Sequence, residues 1–322
     1  MPQDSIYYAI GRLSVLQKNA LDQTKLDRLL QAPSAQDARH ALAEIGWTTG
    51  ENYEQMAAAH VEQACQVTRR LATNEKLIAC FLLRYDVNNL KILLKARCLG
   101  AEAESLSLCG VYSVDTLRHD VAEHRYTNLD PILAAALDGL EKRLAVSPDP
   151  LDVDVTLDKA QYETVFSWLP QNARTERAFF TAKADLVNLS MALRALHMGK
   201  PASFFKEMLL PGGTIAQQAW LSAYEKPEKL PQLVKGYGPK VYQAALAAQS
   251  APGRIAQLER AMDDYLLSVY APYRQRIDAA QRIVGYLLMR EREAAAVRLI
   301  MAGKTAGFAE EKIRERLRDL YG

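Results

Sequence analysis

The sequence predicts an all-α protein of three similar helical-bundle modules with pseudo-three-fold symmetry, and three observations carry that reading. Apolar residues recur at helical spacing, helix caps stand at segment ends, and a buried-looking Asp-x-x-Asn-Leu pattern occurs twice, 99 residues apart. Alternating runs joined by Asn-Gly or Asp-Gly, the mark of hairpins, are missing.

Taken in order, Ser34 with Asp37 three residues on reads as a capping box that opens an Ala-rich helix reaching Gly46. Asn52 reads as the N-cap of a helix over 52–72, and 75–99 as a long helix stopped by Gly100. Asp130 followed by Pro131 makes an N-cap and first-position pair for a helix to Leu144. Further helices are predicted over 157–168, 176–198, 215–224, 240–248, 254–270, 279–302 and 309–320. The stretch Leu151-Asp-Val-Asp-Val-Thr156 alternates with period two and is expected to be a short extended linker.

The repeat is the most informative feature. Asp86-Val-Asn-Asn89-Leu90-Lys-Ile-Leu-Leu94-Lys95-Ala96 runs to Gly100, and Asp185-Leu-Val-Asn188-Leu189-Ser-Met-Ala-Leu193-Arg194-Ala195 runs to Gly199. Past each glycine, Leu-Cys-Gly110-Val-Tyr-Ser113 and Leu-Leu210-Pro-Gly-Gly213-Thr214 each precede a short helix. A weaker third copy is read at Arg298-Leu-Ile-Met-Ala-Gly303, which again sets a basic residue five positions before a glycine. The implied modules are 1–112, 113–212 and 213–322, with terminal helices able to pack across those boundaries. Leu90, Leu94 and Ala96, like Leu189, Leu193 and Ala195, form packing stripes. Gly100, Gly199 and Gly303 are expected to turn the chain in the left-handed conformation that ends a helix. Asp86 with Asn89, and Asp185 with Asn188, lie one turn apart on one face and are expected to bond neighbouring helices.

The composition excludes several classes. A net charge of +2, with both signs interspersed, leaves no concentrated basic face for a nucleic-acid backbone. No run approaches the ~18 consecutive apolar residues of a membrane span, and the opening MPQDSIYYAIGRLS lacks the plan of a secretory signal. Cys65, Cys80, Cys98 and Cys109 show no pairing pattern, which suits reduced thiols and a cytoplasmic setting.

With these residues the chain resembles the C subunit family of V-type and A-type ATPases, related to the eukaryotic d subunit. The resemblance runs along essentially the whole length. It rests on Tyr7-Tyr8-Ala9 and Leu29-Leu30, on Tyr85-Asp86-Val-Asn-Asn89-Leu90-Lys91, on Asp185-Leu-Val-Asn188-Leu189 and on Leu-Pro211-Gly212-Gly213. It ends with Tyr286-Leu-Leu-Met-Arg-Glu291-Arg-Glu293 through Arg298 to Gly303-Lys304. The family usually carries Asn-Leu-Arg after its acidic pair, where this chain has Ala296-Val297-Arg298. The resemblance implies a funnel or socket of three modules that joins the soluble rotor shaft, of D and F type subunits, to the membrane proteolipid ring. Such a central-stalk subunit serves proton or sodium transport without catalysis of its own, and sits at the membrane only through the complex. Lys95, Arg194 and Arg298 become candidates for contact with the ring, and Lys200 and Lys304 stand beside module glycines.

Other chemistries fit less well. Ala302-Gly303-Lys304-Thr305 imitates the end of a phosphate-binding loop, but Arg298 stands where the first glycine is required and no strand precedes it. Lys235-Gly236-Tyr-Gly238-Pro-Lys240 reads as a solvated turn. Cys98, Cys109, His119 and His124 match no zinc spacing, so no metal and no cofactor are expected. Asp263 and Asp264 diverge by about 100° on a helix and cannot act as a catalytic pair. Glu310 and Arg314 are expected to form an ordinary helical ion pair. A helical enzyme would need inward Glu-x-x-His, which does not occur. The alternative of another class is a helical interaction scaffold unrelated to rotary ATPases, although TPR and HEAT arrays repeat at roughly 34–47 residues.

Overall fold

Side-chain caps fix where most of the early helices begin. In a computed structural model, which describes residues 6–48, 50–277 and 279–320, the chain opens with α1 (Ile6–Gln17). Asp22 caps α2 (Gln23–Gln31), accepting from Lys25 N at 2.8 Å, and Ser34 caps α3 (Ala35–Glu44), accepting from Asp37 N at 3.1 Å. Asn52 caps α4 (Tyr53–Leu71) at 2.9 Å, and α5 (Glu75–Leu99) follows. Ser113 caps α6 (Val114–Ala122), and Asp130 caps α7 (Pro131–Leu144) with Pro131 in its first turn. Each such cap satisfies a backbone N–H that the helix itself cannot, and contributes about 1 kcal/mol.

Asp149 and Pro150 repeat this device and open α8 (Pro150–Trp168), so 151–156 is helix rather than a linker. The alternation misleads because Asp152 and Asp154 point to water and to basic partners, while Val153, Leu157, Ala160, Thr164 and Val165 form a buried face with helical spacing. Then come α9 (Arg174–His197), the unforeseen α10 (Ala202–Met208), α11 (Gln217–Tyr224), α12 (Leu230–Leu233), α13 (Pro239–Ser250) and α14 (Ile255–Ser268). The last two helices are α15 (Ala279–Thr305) and α16 (Glu310–Arg314). The segment predicted as helix to residue 320 stops at Arg314, and beyond it Asp319 N donates to the Asp264 carboxylate at 3.1 Å while Arg318 pairs with Asp263. No strand occurs among the described residues, and the protein is all-α.

Two compact units are distinguished, Met1–Ile78 with Asp263–Gly322, and Ala79–Met262. In the first, helices from both chain ends pack together. The buried face of α4 (Met56, Ala57, Val61, Ala64, Cys65) lies along α15, which α1 also meets through Ala9 and Leu13. Burying each such large apolar side chain contributes roughly 1.5–3 kcal/mol. In the second unit α7 lies against α8, and Phe81, Phe179 and Phe180 form a ring cluster with centroids 4.8–5.5 Å apart. Tyr162, Ala184 and Leu210 make a buried cluster with Phe166, Val187 and Met191 packed on it.

Candidate functional site

Asp86 and Asn89 sit on α5 with their side chains fully buried, and their partners are backbone groups of the loop beyond that helix. Asn89 donates to Ser107 O at 2.8 Å and accepts from Ser107 N at 2.9 Å. The Asp86 carboxylate accepts from Val111 N at 2.6 Å and Tyr112 N at 3.1 Å. The second copy does the same. Asn188 exchanges bonds of 3.1 and 2.8 Å with Leu210, and Asp185 accepts from Thr214 N at 2.9 Å and Ile215 N at 3.3 Å. Asp185 also accepts from the hydroxyls of Thr214 at 2.7 Å and Tyr237 at 2.6 Å. The Asp and Asn residues therefore clamp loops rather than neighbouring helices: within reach of a helix face, a returning loop offers free N–H groups, whereas a neighbouring helix has used its own.

Glycine is required where the carboxylate comes closest. A Cβ on Gly110 would stand 1.9 Å from Asp86 Oδ1, and one on Gly213 would stand 2.1 Å from Asp185 Oδ1. Gly100 and Gly199 end their helices with φ +64°. Each makes the paired bonds of a Schellman turn: Gly100 N to Arg97 O with Ala101 N to Ala96 O, and Gly199 N to Leu196 O with Lys200 N to Ala195 O. Gly303 does not end its helix. It lies inside α15 where a Cβ would meet Ile313 at 2.7 Å, so it serves close packing, and the turn falls at Gly307 with φ +70°.

The basic candidates are ion-paired within the chain. Lys95 meets Asp154 at 2.7 Å, with Lys91 on Asp158 at 2.7 Å beside it. Arg194 meets Glu259 at 2.6 Å, which Ser190 also reaches at 3.0 Å. Arg298 meets Glu54 at 2.7 Å. Lys304 reaches across to Leu30 O at 2.6 Å, where it satisfies a carbonyl at the end of α2, and Lys200 lies 5.2 Å over the Phe204 ring.

Two further networks hold the clamped loop of the first copy and its surroundings. Tyr112 OH accepts from Asp130 N at 2.9 Å, and Asp130 accepts from Trp168 Nε1 at 2.7 Å. Burial raises the Tyr112 phenol above its usual range. Arg97 grips Glu141 at 2.7 and 2.8 Å, with Tyr126 and His124 on the same carboxylate. Burial works against the Glu141 charge, but the bonds from Tyr126, Arg97 and His124 prevail and hold it below the usual carboxylate range. No group of three His, Cys, Asp or Glu among the described residues is placed to hold a metal.

Of the buried carboxylates that a reading of the sequence does not single out, Asp120, Glu176 and Glu293, the last gathers three donors. Glu293 on α15, 1% exposed, accepts from Leu21 N at 2.7 Å, His60 Nε2 at 2.8 Å and Arg290 at 2.9 Å. Trp47 stacks on His60 at 3.7 Å. The signal is its distance from Gly307, which the choice of Gly303 as the helix end conceals.

What the arrangement can do is present stiff, partly apolar tips. Leu108 (64% exposed) and Val111 (39%) project from the clamped loop, and Leu99 (79%) and Met198 (65%) stand just before the Schellman glycines. No helix among the described residues is long and apolar enough to cross a membrane.

A family model described as ATP synthase (C/AC39) subunit matches residues 9–316. The chain is similar to the C subunit of the V-type sodium ATPase of Enterococcus hirae, 23% identical over 80% of this chain and 79% of that protein. It is also similar to the C subunits of two A-type ATP synthases. That of Haloquadratum walsbyi is 24% identical over 74% of this chain and 73% of its own length, and that of Halorubrum lacusprofundi 27% over 75% and 73%.

Proposed function

The chain belongs to the ATP synthase (C/AC39) subunit family, and on that premise we propose that it is the non-catalytic central-stalk subunit of a V/A-type rotary ATPase. In this role it couples shaft subunits of D and F type to the proteolipid ring, and passes torque without making or breaking a bond. The family match over residues 9–316 carries the reading. Three modules, 1–112, 113–212 and 213–322, form the funnel, and Asp86, Asn89, Asp185 and Asn188 fix the loops that dock. The clamped loop of the first copy, with Leu108 and Val111 exposed, supports this, because a torque-bearing contact loses less to ordering when its surface is already held. Lys95, Arg194 and Arg298 are offered as contacts to the exposed loops of the ring, an approach they would make by exchanging their internal carboxylate partners.

Co-expression with the shaft and proteolipid subunits, followed by affinity purification, tests the reading. A stoichiometric complex is expected. A protein that ignores both, while the ATPase assembles and pumps without it, would leave a helical scaffold of another kind.

A further inference from the structure

Three long helices end alike. Phe308 N donates to Gly303 O at 2.9 Å and Gly307 N to Lys304 O at 3.0 Å, the same paired bonds that close α5 at Gly100 and α9 at Gly199. Fourteen residues before Gly100 stands Asp86, fourteen before Gly199 stands Asp185, and fourteen before Gly307 stands Glu293. All three carboxylates are buried, at 0%, 0% and 1% exposure, and all three accept a backbone N–H from a turn outside their helix. In this register Ala296 falls where Asn89 and Asn188 stand, and Arg298 falls opposite Lys91 rather than Lys95. Arg298 and Lys91 each make a 2.7 Å ion pair to another helix.

The residue preceding the bonded N–H differs in a telling way. Before Val111 it is Gly110, before Thr214 it is Gly213, and before Leu21 it is Ala20. At Gly110 and Gly213 an aspartate oxygen occupies the space a Cβ would need, 1.9 and 2.1 Å from it. Alanine at the third site has a Cβ, and the acid facing it is glutamate, one methylene longer than the aspartates that face Gly110 and Gly213.

We infer that Glu293 is the third positioning acid of the repeat and that the Ala20–Leu21 turn is what it holds, with Glu and Ala replacing the Asp and Gly of the first two copies. The third turn comes from the opposite end of the chain and lacks the asparagine clamp; its Leu21 N–H rests on the carboxylate, while Lys25 Nζ donates to Ala20 O at 2.6 Å and Arg290 to Leu16 O at 2.9 Å. Leu21 N–H takes one oxygen of Glu293, and His60 and Arg290 share the other, where Asp86 takes its second backbone N–H. This role for Glu293 holds whether or not the chain docks on a rotor.

Hydrogen exchange at single-amide resolution on the full chain tests it. Glu293→Asp should lower protection of the Leu21 amide about tenfold or more, as expected for losing a bond to a buried charge, and adding Ala20→Gly should recover most of that loss. In the second copy, Gly213→Ala should lower protection at Thr214, and Asp185→Glu should recover it in the same chain. A residue that merely balances Arg290 and His60 would show no such coupling. If Glu293→Asp does not fold, refolding by the double variant supports the inference and continued failure overturns it. Unchanged protection at Leu21, or double variants no better than the singles in either copy, also overturns it.

Discussion

Asn89 and Ser107 exchange two hydrogen bonds, amide to carbonyl at 2.8 Å and backbone N–H to side-chain oxygen at 2.9 Å, so one buried side chain replaces the ladder rung that a strand would supply. Asn188 stands in the same relation to Leu210. Asn188→Ala should strand a buried N–H and C=O of Leu210 and destabilise the protein by roughly 1–3 kcal/mol. Thermal melting decides it, and an unchanged midpoint would refute the clamp.

Gly303 and Gly307 should respond differently to alanine. Gly307→Ala forces a side chain into φ +70° and should cost about 1–2 kcal/mol. Gly303→Ala presses a Cβ to 2.7 Å from the buried Ile313 Cγ1, an overpacking cost of roughly 1–3 kcal/mol that the roughly 0.5–1 kcal/mol gain in helix propensity only partly offsets. Chemical denaturation tells the two apart, because Ile313→Val should relieve the Gly303→Ala loss and leave the Gly307→Ala loss unchanged.

The basic candidates separate folding from docking. Lys95 and Arg194 sit in ion pairs at 32% and 54% side-chain exposure, where such pairs contribute about 0–1 kcal/mol. Lys95→Ala and Arg194→Ala should therefore leave the melting midpoint nearly unchanged. If these residues meet the ring, recovery of the proteolipid subunit in a pull-down falls sharply. Undiminished recovery removes them from the interface.

Acid should loosen the protein in two stages. Burial pushes His60 below its ordinary 6.5 despite the Glu293 carboxylate beside it, so the ring stays neutral in the fold and Nε2–H donates to Glu293. The unfolded chain takes up that proton first, so the stability is present above about 6.5 and is lost as pH falls through the folded value. Burial opposes charge on Glu293 too, but His60 and Arg290 outweigh it and hold it below 4.5, which adds a second loss at lower pH. Melting midpoints followed from pH 8 down to about pH 2 should show both, and His60→Gln, which removes the imidazole titration but keeps an N–H donor for Glu293, should flatten the first.

Much of this is legible in the sequence where cause and effect are local. Ser34, Asn52 and Asp130 cap helices within three residues of themselves, and Gly100 and Gly199 end theirs as expected. Asp86 and Asn89 are recognisable as a pair, but not their partner, because the pattern names the donor set and not the chain segment opposite. The first turn of α8 is hidden by aspartates whose alternation serves Arg143 and Lys95 rather than a strand. Gly303 is easily taken for Gly307 because both follow a basic, apolar stretch, and only the turn's backbone bonds tell them apart.

The pairing of α4 with α15 sets an order of events during synthesis. The apolar face of α4, with Met56, Ala57, Val61 and Cys65, leaves the ribosome early, and its partner helix begins only at Ala279. Between them the whole unit Ala79–Met262 must be made, which at ordinary translation rates takes on the order of 10–40 s. That middle unit has all of its residues in hand first, while the earliest helices wait with an apolar surface uncovered. Uncovered apolar surface of that kind is what chaperones bind, so the nascent chain is expected to engage them through its earlier helices, and a stop codon placed before α15 removes the helix that covers that surface.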